Sequence, residues 1–275
     1  MMSGFSTRWL ASREPVDLRA RNDEVIASFA GYVAWQQRTR DRPLRVLDLG
    51  AGTGATMRAL APHLPADTTW RLAEHDTALL ERAIALADRD GHAVEAVETD
   101  LSRGFADETA ARLLEGVDAV TTSAFLDLVS HTWLEGLARA LAARRLPFLA
   151  MLTFDGRQEA SPSHPLDARI REAMAAHQGR DKGFGPALGP AAHEAAADAF
   201  RAAGFALTQG SSDWEARRDE ADFQSMLISG WASAARETGV DPREVDAWLD
   251  LRLSQIAERA LVTRVGHQDL AALPG

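Results

Sequence analysis

The chain of 275 residues contains no cysteine. Disulfides, thiolate metal sites and cysteine nucleophiles are therefore excluded, and the composition fits a reducing compartment. It has one tyrosine, Tyr32, and 30 basic residues of which only Lys182 is a lysine. Arginine and alanine dominate, as a GC-rich bacterial genome would produce. No apolar run approaches the roughly 20 residues that a membrane span needs. Met1 to Arg13 lacks the apolar block of a secretory signal. The expectation is a soluble, cytoplasmic protein with no membrane partner. Basic runs are missing as well, and the net charge is −10. Nucleic-acid binders carry a basic face, so nucleic acid is disfavoured and a small molecule is the expected partner. No histidine–carboxylate spacing suggests a metal site, and none is expected.

What is present is a large apolar fraction, 46% of residues. That supports one large domain, or one with an added cap. Residues 15–40 carry an apolar stripe of Val16, Val25, Ile26, Phe29, Val33 and Ala34 and read as one amphipathic helix. Strands are expected at 44–49, 69–74, 92–99, 117–123 and 146–154. Helices are expected at 53–64, 77–88 and 131–144. This alternation predicts an α/β fold, a doubly wound, mostly parallel seven-stranded sheet with helices on both faces. Beyond 155 the pattern changes. A short helix at 166–176 precedes a glycine-rich loop, and a helix at 190–203 ends at Gly204. A strand at 205–209 follows, then helices at 220–237 and 242–259, the second opened by Asp241 and Pro242. A last strand is expected at 261–265. The domain reading is an N-terminal helical cap at 15–43, a core at 44–155, and a lid with added helices and last strands at 156–275. Trp231 and Trp248 read as core or as a dimer surface, with an aromatic acceptor pocket as the alternative, and monomer and homodimer both stay open.

The segment VLDLGAGTG, residues 46–54, carries the most chemistry. A buried strand runs into a glycine loop and then a helix. Gly50 and Gly52 let the backbone turn sharply near a ligand, and Gly54 lets the helix lie close to the strand. Such a loop serves a dinucleotide or a sulfonium nucleoside, and spacing alone does not separate them. Asp48, two residues before the first glycine, would repel a pyrophosphate and attract a sulfonium and an ammonium.

This stretch resembles motif I of the class I S-adenosylmethionine-dependent methyltransferases, and the likeness extends from residue 44 to about 155. The resemblance implies S-adenosylmethionine as cofactor and S-adenosylhomocysteine as product. It places Asp48, Gly50, Ala51, Gly52 and Gly54 against the methionine half. Glu74, 20 positions after Gly54, is placed on the ribose hydroxyls with His75 beside it. Asp100 and Leu101 fall at the adenine and Ser123 near the methyl group. Asp76 reads better as a helix cap than as a rival for the ribose.

The acceptor is expected over the fourth and fifth strands. Phe125, Arg157, Arg180, Lys182 and Phe184 are candidates to bind it, and an anionic acceptor would suit the three cations. Asp127, Asp155 and His177 are the candidate catalytic groups. The expected reaction is in-line attack by an acceptor atom on the sulfonium methyl. Two rivals stay open: a non-catalytic methyltransferase-like partner protein, and a nicotinamide-dependent oxidoreductase.

Overall fold

The computed structural model describes residues 6–38, 40–105 and 108–275. Two helices, α1 (Thr7–Ala20) and α2 (Asp23–Gln37), precede the sheet. The alternating part then runs β1 (Arg45–Leu49), α3 (Ala55–Leu60), β2 (Thr69–Glu74), α4 (Thr77–Asp90), β3 (Ala93–Glu98), α5 (Glu108–Leu113), β4 (Ala119–Ser123), α6 (His131–Arg144) and β5 (Phe148–Ser161). The rest comprises α7 (Asp167–Gln178), α8 (Ala192–Ala202), β6 (Phe205–Ser211), β7 (Trp214–Ala216), α9 (Ala221–Glu237), α10 (Pro242–Ala257) and β8 (Val262–Pro274).

The sheet order is β3-β2-β1-β4-β5-β8-β6, with β7 also pairing β8. Strands β1 to β5 run parallel, and β8 is antiparallel to β5, β6 and β7. The fold is therefore the doubly wound α/β class, with an eighth strand. The chain leaves β1 in one direction, to β2 and β3, and returns to lay β4 on the other side of β1. Strand order reverses there, and a crevice opens beyond the carboxyl ends of the two strands.

Strand side chains alternate between faces, so β1 serves two cores. Val46 packs with Phe29, Met57, Trp70 and Leu72 on one face. Leu47 and Leu49 pack with Val120, Leu137, Phe148 and Phe200 on the other. Burial on both faces explains why β1 reads as a short apolar run, whereas the edge strand β3 is largely exposed.

Several expectations change. Residues 15–40 form parts of two helices rather than one. The break is at Arg21 and Asn22, where the Asn22 side chain accepts from the amides of Glu24 and Val25, both at 3.1 Å, and so caps α2. The Asn22 amide donates to the buried Asp269 at 2.8 Å. Strand β5 does not end at 154 but continues to Ser161 through two bulges, because β8 pairs with it along that length. At the first bulge Leu152 has φ 54° and its amide donates to Asp269 Oδ1 at 2.7 Å. The short last strand expected at 261–265 runs on to Pro274. Strand β7 has no counterpart among the sequence expectations.

Helix α10 begins as expected, with Asp241 accepting from the Arg243 amide at 2.9 Å and Pro242 in its first turn. Arg252 on α10 is fully buried and grips Asp167 at the start of α7 through Nη2, at 2.6 and 2.7 Å. Trp248 is core, and its Nε1 donates to Asp167 at 2.9 Å. Among the described residues no helix is long and apolar enough to cross a membrane.

Candidate functional site

A cavity of about 1520 Å³ opens beyond the carboxyl ends of β1, β2 and β4. That exceeds the roughly 300–1,000 Å³ typical of one drug-sized ligand. Its floor is the loop from Gly50 to Thr53, its walls come from 99–102, 123–125 with 127 and 128, the end of α7 and 181–184, and α1 and α9 close it.

The glycine loop is rigidly bound into the fold. Gly50 and Ala51 donate their amides to the Ala73 carbonyl at 2.9 and 3.1 Å, and Gly54 donates to Ala51 O at 2.8 Å. Gly52 donates to Glu74 Oε2 at 2.9 Å. Gly50 has φ 66°, and a Cβ there would lie 2.6 Å from Phe125 Cδ2. Only glycine suits both the backbone angle and the ring. Gly54 is the N-cap of α3 and lies behind the cavity wall.

Acidic groups surround this loop. Asp48 is wholly buried beneath it, and its Oδ1 accepts from Thr121 Oγ1 at 2.8 Å. Its Oδ2 has no partner, and burial pushes its pKa up to about 7. Glu74 lines the cavity and accepts amides from Gly52, His75 and Asp76 at 2.8–3.0 Å. The half-exposed His75 ring also meets it, at 2.9 Å. Asp100 accepts from the Ser102 amide at 2.9 Å and lies below the usual carboxylate range because Ser102 hydrogen-bonds it. Leu101 is beside it on the cavity wall.

Ser123 ends β4 and faces the cavity, followed by Ala124 in the left-handed region at φ 49°. Phe125 stands edge-on to Trp133 and Phe184, with ring centroids 5.5 and 5.4 Å apart. This aromatic contact holds the segment carrying Lys182 against the segment carrying Asp127. Asp127 lines the cavity, is 8% exposed and leaves Oδ1 without a partner. Burial pushes its pKa up to about 6, and its own amide, Arg13 and Lys182 oppose the shift. Lys182 lines the cavity and makes no ion pair among the described residues. His177 lines it too, with Nε2 3.2 Å from Glu237 Oε2, and its pKa is lowered mainly by desolvation and then by Lys182.

Three candidates are elsewhere. Asp155 and Arg157 are carried away from the cavity by the continuation of β5. They pair with each other at 2.5 Å, and Arg157 also pairs with Asp213 at 2.7 Å. Arg180 lies behind His177 and donates to the Glu237 carbonyl at 3.0 Å. None of the three is in the cavity wall.

Other contributors were missed by sequence reasoning. Helix α1 and its C-cap bring Leu10, Arg13, Asp17 and Arg21 to the cavity, and α9 brings Glu237. Trp231, with an aromatic pocket as its alternative reading, lines it too, and Trp248 does not. A signal existed for α1, since Arg13, Asp17 and Arg21 recur every four residues and share one helical face.

No protein-family model matches the sequence, and neither does any curated protein. Among solved structures, a cyclopropane synthase from Mycobacterium tuberculosis is 12% identical, over 98% of this chain and 94% of that one, with a TM-score of 0.49. A SAM-dependent methyltransferase from Thiobacillus denitrificans, solved with S-adenosyl-L-homocysteine, is 16% identical, over 98% of this chain and 99% of that one, with a TM-score of 0.47. A geranyl diphosphate methyltransferase solved with SAM is 10% identical, over 90% of this chain and 85% of that one, with a TM-score of 0.44.

Proposed function

We propose that this chain is a class I methyltransferase that binds S-adenosylmethionine and methylates a small-molecule acceptor. The observation that carries the reading is how the glycine loop's hydrogen bonds are used. A dinucleotide site offers loop amides to a pyrophosphate. Here the amides of Gly50, Ala51, Gly52 and Gly54 are all satisfied within the protein. Around them stand Asp48 beneath the loop and Glu74 beside it. A dianion would be repelled there, and a cationic nucleoside attracted. A bound cation would also draw the proton from Asp48.

S-adenosylmethionine supplies an already activated methyl group on sulfur. The protein's part is placement and exclusion of water. Glu74 holds the loop closed through Gly52 and can accept from ribose hydroxyls once the half-exposed His75 ring moves aside. Asp100 and Leu101 flank the place for the base, and Ser123 lies near the start of the acceptor half. Phe125 and Phe184 form an apolar wall for the acceptor, and Lys182 is a cation for an acidic group on it. Asp127, ionised above about pH 6, is positioned to take the proton that an acceptor hydroxyl or amine loses. His177, held by Glu237, is the second such group.

Calorimetric titration with S-adenosylmethionine, S-adenosylhomocysteine and NAD tests the reading. Micromolar binding of both adenosyl ligands and none of NAD is expected, and Asp48→Ala should weaken it. Binding of NAD alone would favour the oxidoreductase. Binding of none would favour a partner protein without cofactor.

A further inference from the structure

The end of the cavity beside Ser123 buries charge of both signs without complete partners. Arg21, at the carboxyl end of α1, is only 7% exposed and lines the cavity. Its Nη1 reaches Met151 Sδ at 3.0 Å and Ser123 Oγ at 3.3 Å, one a weak acceptor and the other a long contact. Its Nε has no partner. Asp17, one helical turn earlier, is 2% exposed and also lines the cavity. Its Oδ2 accepts from Arg13 Nε at 2.9 Å, and its Oδ1 has no partner. Asp48 Oδ2, under the adjacent loop, is unpartnered too.

Leaving a buried polar group unpaired costs about 1–3 kcal/mol, and more for a charge. Arg21 and Asp17, two such groups in the wall at one end of one cavity, mark a place where a ligand completes the hydrogen bonding, with Asp48 under the adjacent loop. The position is closed from above. Leu10 on α1 is 3.6 Å from where a Cβ on Gly52 would stand. Glu14 accepts from Arg58 Nε and Nη2, both at 2.7 Å, and Arg58 Nη1 donates to the Thr53 carbonyl at 2.6 Å. Arg58 thus clamps α1 onto the glycine loop.

We propose that Arg21 and Asp17 grip the α-amino-acid end of the adenosyl ligand, the guanidinium taking its carboxylate and Asp17 its ammonium. This rests on the methyltransferase reading and adds to it residues outside the VLDLGAGTG segment. Charge narrows the class. A dianion would meet the buried acids Asp17, Asp48 and Asp269, whose fields act on Arg21. A simple cation would meet Arg21. A zwitterion offers each its opposite.

The test compares two ligands that differ in that end. S-adenosylhomocysteine carries it, and 5′-methylthioadenosine lacks it. Wild-type protein should bind the first at least about tenfold more tightly, since one charged hydrogen bond contributes about 1.5–3 kcal/mol. Arg21→Gln should remove most of that advantage and leave methylthioadenosine affinity unchanged. Asp17→Asn, nearly isosteric, should act in the same direction and serves if the arginine variant does not fold. Equal losses for both ligands, or no loss for either, would overturn the assignment. If the wild type binds both ligands equally, the methyltransferase reading stands and this proposal falls. If it binds neither, the methyltransferase reading itself fails.

Discussion

The two halves of the cavity are built in different ways. The half beneath the proposed cofactor comes largely from one stretch of chain, from Asp48 to Ser102, at the ends of β1 and β2 and just beyond β3. Its devices are local: glycines at positive φ, amides bound to the next strand, and one acid at each strand end. The acceptor half gathers the segment after β4, the end of α7 with 181–184, and α9, and α1 lies across both halves. Its devices are side chains brought together from distant positions. A backbone cradle must be contiguous because consecutive residues shape it. A wall of side chains has no such need, so its pieces follow from how helices pack.

Three substitutions sharpen that contrast. The largest effect is expected from Arg252→Ala. It would empty a fully buried position and strip Asp167 of its bidentate partner. Breaking such a pair costs about 3–5 kcal/mol, to be read by denaturant unfolding. S-adenosylhomocysteine affinity of the folded variant should not change, because α7 belongs to the other half and α10 lies outside the cavity wall. A matching loss of affinity would show that the halves are one mechanical unit.

Next comes Asp127→Asn. The unfolded carboxyl ionises near the ordinary aspartate value of 3.8, and burial makes the folded one keep its proton to about 6. In that window the folded state holds more protons, so stability falls as pH rises, and above about 6 the decline from this group ends. The difference is on the order of 3 kcal/mol. The asparagine variant should lack that slope and be more stable than wild type at pH 8. Any slope of the same sign left in the variant would belong to the other buried acids whose pKa is raised, Asp48 in the cofactor half and Asp269.

The smallest effect is expected from Gly50→Ala. The new Cβ would fall 2.6 Å from Phe125 Cδ2 at a φ of 66°. The ring must move, and it is the ring that links the two halves. S-adenosylhomocysteine binding should weaken by about tenfold, or roughly 1.4 kcal/mol, in the calorimeter. Unchanged binding would mean that the junction yields without disturbing the loop.

Legibility in the sequence follows the same division. Strands β1 to β5 were readable because short segments bounded by turn residues alternate with longer helical ones, and length settles what an apolar run alone leaves ambiguous. Glu74, Asp100 and Ser123 were readable as cavity residues because each stands at or just past the carboxyl end of such a strand. Asp155 and Arg157 were misplaced for a tertiary reason. Phe154 ends the apolar run, yet β5 continues because β8 pairs with it and carries both residues out of the cavity. The break at Arg21 was hidden because the apolar stripe continues across it. What holds it open, Asp269, lies 247 positions from Asn22.

By itself, then, the sequence determined the alternation of strands and helices, the glycine loop and the acids beside it. These depend on neighbours along the chain, on period, backbone angle and caps. Tertiary structure alone decided that α1 closes the cavity, that Arg21 and Asp17 are buried beside Ser123, and that Asp127 retains its proton to an unusual pH. Burial and unpaired charge are properties of the packed molecule, set by groups far apart in the chain, and no local pattern records them.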